Sequence, residues 1–280
     1  MTHAIGSQPA VANSAESPEV SVVAPAHNEE DNVDQLVREI ESAMTRASLR
    51  FEIVIVDDGS TDSTRSRLLA LMASRPYLRV IAMTNTPKGK GNGQSAAFHA
   101  GFRACRGEYI AVLDADLQND PAEIPEMLRI ARQTGAGLVQ GDRSHARQDN
   151  VVRKVGSIVG RKFRLWLLGD TIRDTGCSLR VMRREIGLRL PLEFRGMHRF
   201  IPVTARHLGY TVVETPVKHR PRVAGETKYG MGVLQRAIPG LIDLFAVRYM
   251  RNRRRPVTSQ EVHGEPTPAG SAETRAGASR

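Results

Sequence analysis

A chain of 280 residues, 40% apolar and 25% charged, can bury one sizeable core, or one domain with an appendage, without covalent staples. Its two cysteines, Cys105 and Cys177, lie 72 positions apart and fit no zinc spacing, which argues against a disulfide scaffold or a structural zinc site. The formal charge of +10 is uneven: residues 1–140 carry 13 basic against 18 acidic side chains, net −5, and residues 141–256 carry 25 against 9, net +16. Such a split suggests a polyanionic partner for the second half. With few aromatics and no recognisable nucleic-acid module, phosphate groups or a membrane surface are expected, and no nucleic acid.

Residues 1–18 are small and polar with no apolar h-region, so they read as a disordered N-terminus without a secretory signal, and the cytoplasmic side is expected. Strand-like runs follow at Val20–Ala24, Phe51–Val56, Leu78–Met83, Tyr109–Leu113 and Leu138–Gln140. Helical patterns lie between them, as in Val33, Leu36, Val37, Ile40 and Met44. Alternating β and α units predict an α/β fold with a mostly parallel sheet and helices on both faces, its ligands bound at the carboxyl ends of the strands.

Polar clusters fall at those ends. The first strand runs into Pro25-Ala-His27-Asn28-Glu29-Glu30 and the second into Asp57-Asp58-Gly-Ser60-Thr61-Asp62. One of Asp57 and Asp58 is expected to accept hydrogen bonds from a base or ribose, and the other to cap a helix beginning near Ser60 to Asp62. After the third strand, Lys88-Gly-Lys-Gly-Asn-Gly93-Gln94-Ser95 opens a helix with Gly-rich backbone beside lysines, which suits a phosphate, although it is no Walker A match. The fourth strand ends in Asp114-Ala-Asp116-Leu-Gln118. On extended backbone residues i and i+2 share a side, so Asp114 and Asp116 can reach one hard cation, Mg²⁺ or Mn²⁺. A cation held by only two carboxylates keeps positions open for substrate phosphates, which points to a nucleotide-diphosphate substrate. Asp120-Pro121-Ala-Glu123 reads as a helix start, with Asp120 structural.

No apolar stretch reaches the roughly 18–20 residues of a spanning helix. The closest, Met231 to Met250, contains Arg236, Pro239, Asp243 and Arg248 and is followed by Arg251 and Arg253–Arg255. Its apolar Leu234, Ile238, Leu241, Ile242, Phe245 and Val247 predict an amphipathic basic helix over 230–255, either lying in a membrane interface or packed on its own domain. Residues 256–280 read as a disordered tail.

Taken together, Val22-Val-Ala-Pro-Ala-His-Asn28-Glu29-Glu30, Ile55-Val-Asp57-Asp58-Gly-Ser-Thr-Asp62, Gly93-Gln94-Ser-Ala-Ala and Asp114-Ala-Asp116-Leu-Gln118 resemble family 2 inverting glycosyltransferases of GT-A fold. Within that family the chain is most similar to dolichyl-phosphate mannose synthases and bacterial polyprenyl-phosphate relatives. The resemblance spans roughly residues 19–250. It implies a GT-A domain over 19–229, with a nucleotide-sugar half at 19–140 and an acceptor half at 141–229. Pro25, Asn28 and Glu29 would border the nucleotide, Asp57 would meet the base, and Asp58, Gly93 and Gln94 would complete the donor site. Asp114, Asp116 and Gln118 would surround the metal. Arg143 and Arg153, in a motif set that includes Asp174, would hold the lipid phosphate, and Arg222 and Lys228 would close on the donor diphosphate.

The implied reaction is a single displacement in which a polyprenyl-phosphate oxygen attacks the sugar C1, the nucleotide diphosphate leaves and the anomeric centre inverts. Asp114, Asp116 and Arg143 would carry it. A phosphate nucleophile is already ionised at neutral pH, so no general base is required, and His27, His198 and His219 read as structural or positioning residues. The Gln-x-x-Arg-Trp motif of processive synthases is absent, Trp166 being the only tryptophan. No pair of spanning helices follows residue 250, so membrane attachment is expected to be peripheral or supplied by a membrane-protein partner. The rival readings are a GT-A enzyme with a soluble sugar or protein acceptor, a nucleotidyltransferase, and a non-catalytic scaffold or nucleic-acid binder.

Overall fold

The computed structural model describes residues 17–87, 89–145, 151–221 and 233–257, with the backbone alone described at 151–159 and 233–238. The disordered termini, Lys88 and the Arg222 to Lys228 segment of the sequence reading lie outside the described residues, apart from 17–18 and 256–257.

Seven strands form one sheet in the order β3-β2-β1-β4-β6-β5-β7. They are β1 (Val20–Ala26), β2 (Phe51–Asp57), β3 (Leu78–Ala82), β4 (Tyr109–Val112), β5 (Leu138–Asp142), β6 (Arg180–Arg183) and β7 (Val212–Pro216). β1 pairs in parallel with both β2 and β4, and β5 with β7, while β6 runs antiparallel between β4 and β5. The five strands expected from the sequence are therefore present and mostly parallel. β6 and β7 were not expected. β6 is four residues long with an arginine at each end, so it lacks the apolar run that marks the others.

The period-two alternation of the strands divides the core into two layers. On one face, Val22, Ala24, Ile53, Ile55, Ala111 and Leu113 pack against α1 (Val33–Arg46) and α4 (Ile124–Thr134) through Leu36, Ile40, Met44, Met127 and Leu128. On the other, Val23, Val54, Val56, Ile110 and Val112 meet Phe98 and Phe102 of α3 (Gln94–Ala104). α3 lies so close to the sheet that a Cβ at Gly101 would stand 2.8 Å from Val23 and 2.9 Å from Val56. The remaining helices are α2 (Thr64–Met72), α5 (Val151–Leu168), α6 (Arg184–Arg189), α7 (Ile201–His207) and α8 (Val233–Arg253).

Two expectations are corrected. The helix after β2 begins at Thr64, later than Ser60 to Asp62, and neither Asp57 nor Asp58 caps it; Asp62 Oδ1 accepts from the Thr64 N–H instead. The segment over 230–255 contains α8, but it is not a simple amphipath. Val247 is buried against the domain, whereas Leu241, Ile242 and Phe245, expected on the same face, are exposed. Packing on the domain and an outward apolar face thus coexist on one helix. Asp120 is structural as expected: its Oδ1 accepts from the Ala122 N–H at the 3₁₀ turn Pro121–Glu123 that leads into α4.

At the amino ends of the strands, Glu52 is buried and accepts from Ser21 Oγ (2.6 Å), the Arg106 N–H (2.6 Å) and Arg79 Nη1 (2.8 Å). Burial pushes its pKa up, but these three donors outweigh burial and hold it below the usual value of 4.5. A carboxyl held low in the folded state stabilises the protein above its unfolded value, and that stabilisation is lost as pH falls through the folded pKa. Glu52→Gln should therefore cost about 2 kcal/mol at pH 7 and give a melting temperature that falls less steeply than wild type as pH drops below about 4.5, measured by thermal unfolding across pH.

Candidate active site

The carboxyl ends of β1, β2 and β4 lie side by side, in the parallel register that sets Ala26 opposite Asp57 and Val23 opposite Val112. Beyond β4 the chain keeps its alternation without remaining a strand. Ala115, Leu117 and Asn119 are buried, and Asp114, Asp116 and Gln118 are half-buried on the accessible side. The chain turns at Leu117, between Asp116 and Gln118. Leu117 has a left-handed backbone, φ 60°, though it is neither glycine nor exposed. A leucine there costs of order 1–3 kcal/mol, offset by burial of its side chain in the core.

Asp114 is held at both oxygens. Gln94 Nε2, at the first position of α3, donates to Oδ1 at 2.6 Å, and Ser178 Oγ donates to Oδ2 at 2.7 Å. Asn119 Nδ2 donates to Ser178 Oγ at 2.8 Å. Burial raises the Asp114 pKa to about 6; the Ser178 donation works against this, and the Asp116 carboxylate adds to it. Asp116 Oδ1 accepts from the Gln118 N–H at 3.2 Å. Two carboxylates crowded in this way are disfavoured as an anionic pair and favoured by a shared cation. The donor set therefore fits a hard divalent ion held by Asp114 and Asp116, with Gln118 two residues further on. Among the described residues no group of three His, Cys, Asp or Glu could hold a metal.

The loops around this pair are fastened to one another. Asp58 Oδ1 accepts from the Asn92 N–H (2.9 Å) and Oδ2 from the Gly93 N–H (2.8 Å), so this carboxylate shapes the Gly-rich loop ahead of α3. A Cβ at Gly91 would stand 2.5 Å from Asp58 Oδ2, which is why the loop needs glycine there. Asp57 is fully buried, accepting from the Ser60 N–H and pairing with Arg65. Asn28, with φ 55°, accepts from the Thr61 N–H at 2.8 Å, and the Glu29 N–H donates to Thr64 Oγ1 at 2.8 Å. Pro25 lies in β1 opposite Val56. Of the expected donor-side residues, Pro25, Asn28, Glu29, Asp57, Asp58, Gly93 and Gln94 thus lie at one edge, while Arg222 and Lys228 are outside the described residues.

Arg143 and Asp174, expected at the acceptor, form a two-point pair, Nε to Oδ2 at 2.8 Å and Nη2 to Oδ1 at 3.2 Å. The Asp174 carboxylate also accepts from the N–H groups of Arg143 and Gly176. An anion in this position orients Arg143 and cannot itself bind a phosphate. Arg153 lies in α5, its side chain outside those described, and Arg222 and Lys228 lie outside the described residues.

Two residues with no role assigned from sequence, Ser178 and Arg180, act on Asp114. Ser178 is a lone serine at a strand entrance, which gives no signal of its partner. Arg180 is buried, donating to the carbonyls of Ser178, Cys177 and His198. Burial lowers its pKa to about 10, so it stays cationic at neutral pH, and its charge acts on Asp114. His198, read as structural or positioning, is joined to the start of α3. Its backbone N–H donates to Ser95 Oγ at 3.1 Å, and its ring Nδ1 is hydrogen-bonded to the same hydroxyl at 2.8 Å. Burial, Arg199 and Arg180 lower the His198 pKa to about 3, so the ring is neutral. His219 lies beside Gln118, its Nε2 3.5 Å from Gln118 Nε2, on a segment bridged to Asn119.

The sequence model of a family described as "Glycosyl transferase family 2" matches residues 21–187. An undecaprenyl-phosphate 4-deoxy-4-formamido-L-arabinose transferase of Edwardsiella ictaluri is 36% identical over 212 residues, 76% of this chain and 63% of its own length. A dodecaprenyl-phosphate galacturonate synthase of Rhizobium johnstonii is 34% identical over 251 residues, 86% of this chain and 70% of its own. The chain thus spans about 60 to 70% of the length of these relatives. Among solved structures, a mannosyltransferase of Pyrobaculum calidifontis in complex with GDP-Man and Mn²⁺ superposes with a TM-score of 0.60 at 20% identity, covering 86% of this chain and 67% of its own. A glucosyl-3-phosphoglycerate synthase of Mycobacterium tuberculosis with Mn²⁺ and UDP gives 0.57 at 22% identity, covering 82% and 80%. These two likenesses show the shared fold.

Removing Asp174 leaves a largely buried guanidinium without its carboxylate. Asp174→Ala should lose about 3 kcal/mol in urea unfolding, whereas the double variant Asp174→Ala/Arg143→Met should recover part of that loss.

Proposed function

The chain belongs to glycosyl transferase family 2, and from that premise we propose that it moves a sugar from a GDP- or UDP-sugar to a polyprenyl phosphate, peripherally at the cytoplasmic face of a membrane. Asp114-Ala-Asp116 carries this reading: two crowded carboxylates at the carboxyl edge of a parallel sheet, one of them fixed at both oxygens. The polyprenyl-phosphate substrates named for the Edwardsiella and Rhizobium relatives support the acceptor class. The Mn²⁺ and nucleotides of the structural neighbours support a divalent cation, Mg²⁺ or Mn²⁺.

Asp114, Asp116 and Gln118 would hold the cation, which when bound supplies positive charge against the departing diphosphate. Gln94 and Ser178 keep Asp114 in place. Asp58 holds the Gly93-Gln94 turn, so the start of α3, with its unpaired backbone N–H groups, faces the same edge. The Asn28, Glu29 and Asp57 loops would border the nucleotide. Arg143, aimed by Asp174, would bind the acceptor phosphate with Arg153, while Arg222 and Lys228 would close on the diphosphate. Arg180 lends a fixed cationic charge beneath Asp114. A phosphate oxygen acts as nucleophile without a base, consistent with a neutral His198 committed to Ser95. The domain assignment is part of this reading: donor residues at 19–140, acceptor residues at 141–229, α8 appended.

Incubation with radiolabelled GDP- and UDP-sugars and a short-chain polyprenyl phosphate should yield organic-phase product that EDTA abolishes. Product that stays water-soluble, on a soluble sugar or protein, would replace the acceptor class. Asp116→Ala should lower turnover at least about a thousandfold while leaving the melting temperature within a few degrees of wild type. Arg143→Ala should raise the KM for the prenyl phosphate at least about tenfold with a smaller change for the sugar nucleotide, read by initial rates with each substrate varied in turn.

A further inference from the structure

The amino edge of the sheet carries a cleft of about 360 Å³, within the range of small-molecule sites. It lies where β1, β2 and β3 begin. Seven-residue strands rising about 3.3 Å per residue set it roughly 20 Å from the carboxyl edge that holds Asp114. The residues assigned to sugar transfer take no part in it.

Its apolar lining comes from Leu49, Phe51, Pro76 and Tyr77. The Phe51 and Tyr77 rings meet at 4.9 Å as a tilted pair, and the Tyr77 hydroxyl is bonded to Glu41. Arg50, Arg79 and Arg106 stand around this surface with one carboxylate, Glu52. Three guanidiniums against one carboxylate, which is held ionised, leave the lining at net +2. Arg50 also stands 3.5 Å from Glu19, but Glu19 is bonded to Arg132 at 2.6 Å, and that further pair leaves the balance unchanged.

The turn that carries Arg106 is fixed residue by residue. Arg79 Nη1 donates to the Ala104 carbonyl at 2.7 Å and Arg184 Nε to the Cys105 carbonyl at 2.8 Å. The Arg106 N–H donates to Glu52 at 2.6 Å and the Gly107 N–H to Ser21 Oγ at 2.9 Å. Four successive residues are thus tied to β3, α6, β2 and β1 in turn. A Cβ at Gly107 would stand 2.7 Å from the Ser21 nitrogen, so the turn packs directly on β1. The Arg106 side chain itself remains exposed. A cation presented from backbone already held in place has a smaller ordering cost to meet on binding an anion.

We propose that this cleft binds a phosphate monoester carried on a flat apolar group, the phosphate meeting Arg50 and Arg106 and the flat group lying against Phe51 and Tyr77. A monoester dianion matches the net +2 of the lining, and guanidinium forks suit its oxygens. The aromatic pair suits its body. The site is separate from donor and acceptor, and it stands whether or not the chain transfers a sugar to a prenyl phosphate.

The test is titration of phenyl phosphate into the nitrogen-15-labelled full chain, followed by nuclear magnetic resonance at the backbone amides. The Phe51, Glu52, Arg106 and Gly107 amides should shift together and saturate with a Kd below about 1 mM. Arg106→Ala should weaken this at least about tenfold at an unchanged melting temperature, and Arg106→Gln, which keeps the stem without the charge, should weaken it as much. Inorganic phosphate, with no body to lie against the rings, should bind at least about tenfold more weakly than the ester. Asp116→Asn should bind phenyl phosphate at this edge as wild type does, which separates the cleft from the metal edge. The proposal is overturned by no saturating shift, by shifts confined to the Gly91–Gln94 loop, or by loss of binding in Asp116→Asn. Equal affinity for inorganic phosphate, or equal binding by the Arg106 variants, overturns it as well.

Discussion

The crowding of Asp114 and Asp116 at one sheet edge is the constraint around which the rest of the site is arranged. Two adjacent carboxylates in half-buried surroundings repel each other, and burial already raises the Asp114 pKa to about 6. The protein holds the pair open with two neutral donors, Gln94 and Ser178, and one buried cation, Arg180. None of these neutralises the pair by direct ion pairing. Two carboxylates so placed suit a divalent ion that keeps positions open for a diphosphate.

Each of those supports comes from a different part of the chain, and the sheet order brings them together. Gln94 starts the helix that crosses beneath β1 and β2; Ser178 and Arg180 lead into β6, which inserts beside β4. His198 then fastens the 3₁₀ turn Met197–Phe200 to Ser95, one residue beyond Gln94. A disturbance at Ser95 would thus reach Asp114 through a single residue. Arg143 is held in the same manner, fixed by Asp174 as Asp114 is by Ser178.

Much of this was legible in the sequence, for identifiable reasons. Parallel strands buried on both faces are nearly continuous apolar runs, so β1 to β5 stood out, and the polar residues ending them marked the ligand edge. Asp114 and Asp116 lie just past the end of β4, both half-buried and close enough for their charges to interact. β6 was hidden because its arginines obscure a four-residue strand, and β7 because Val212-Val-Glu-Thr-Pro is short and mixed. Ser178, Ser95 and His219 carry no local signal, as their roles depend on partners 64, 103 and 101 positions away. Asp57 and Asp58 show the converse. Their type was informative, but the helix they were expected to cap starts further on, and both carboxylates are engaged in shaping loops. α8 was ambiguous in sequence because it is apolar on two sides, one against the domain and one outward.

The central claim is that Asp114 and Asp116 hold a divalent ion together with a nucleoside diphosphate. Electron paramagnetic resonance titration of Mn²⁺ in the presence of GDP or UDP tests it directly, comparing wild type with Asp116→Asn, which keeps the shape and removes the charge. The account predicts one Mn²⁺ bound per chain in wild type, tightened by nucleoside diphosphate, and binding lost in the variant. Stoichiometric binding that is the same in both proteins, or that ignores the nucleotide, would contradict it.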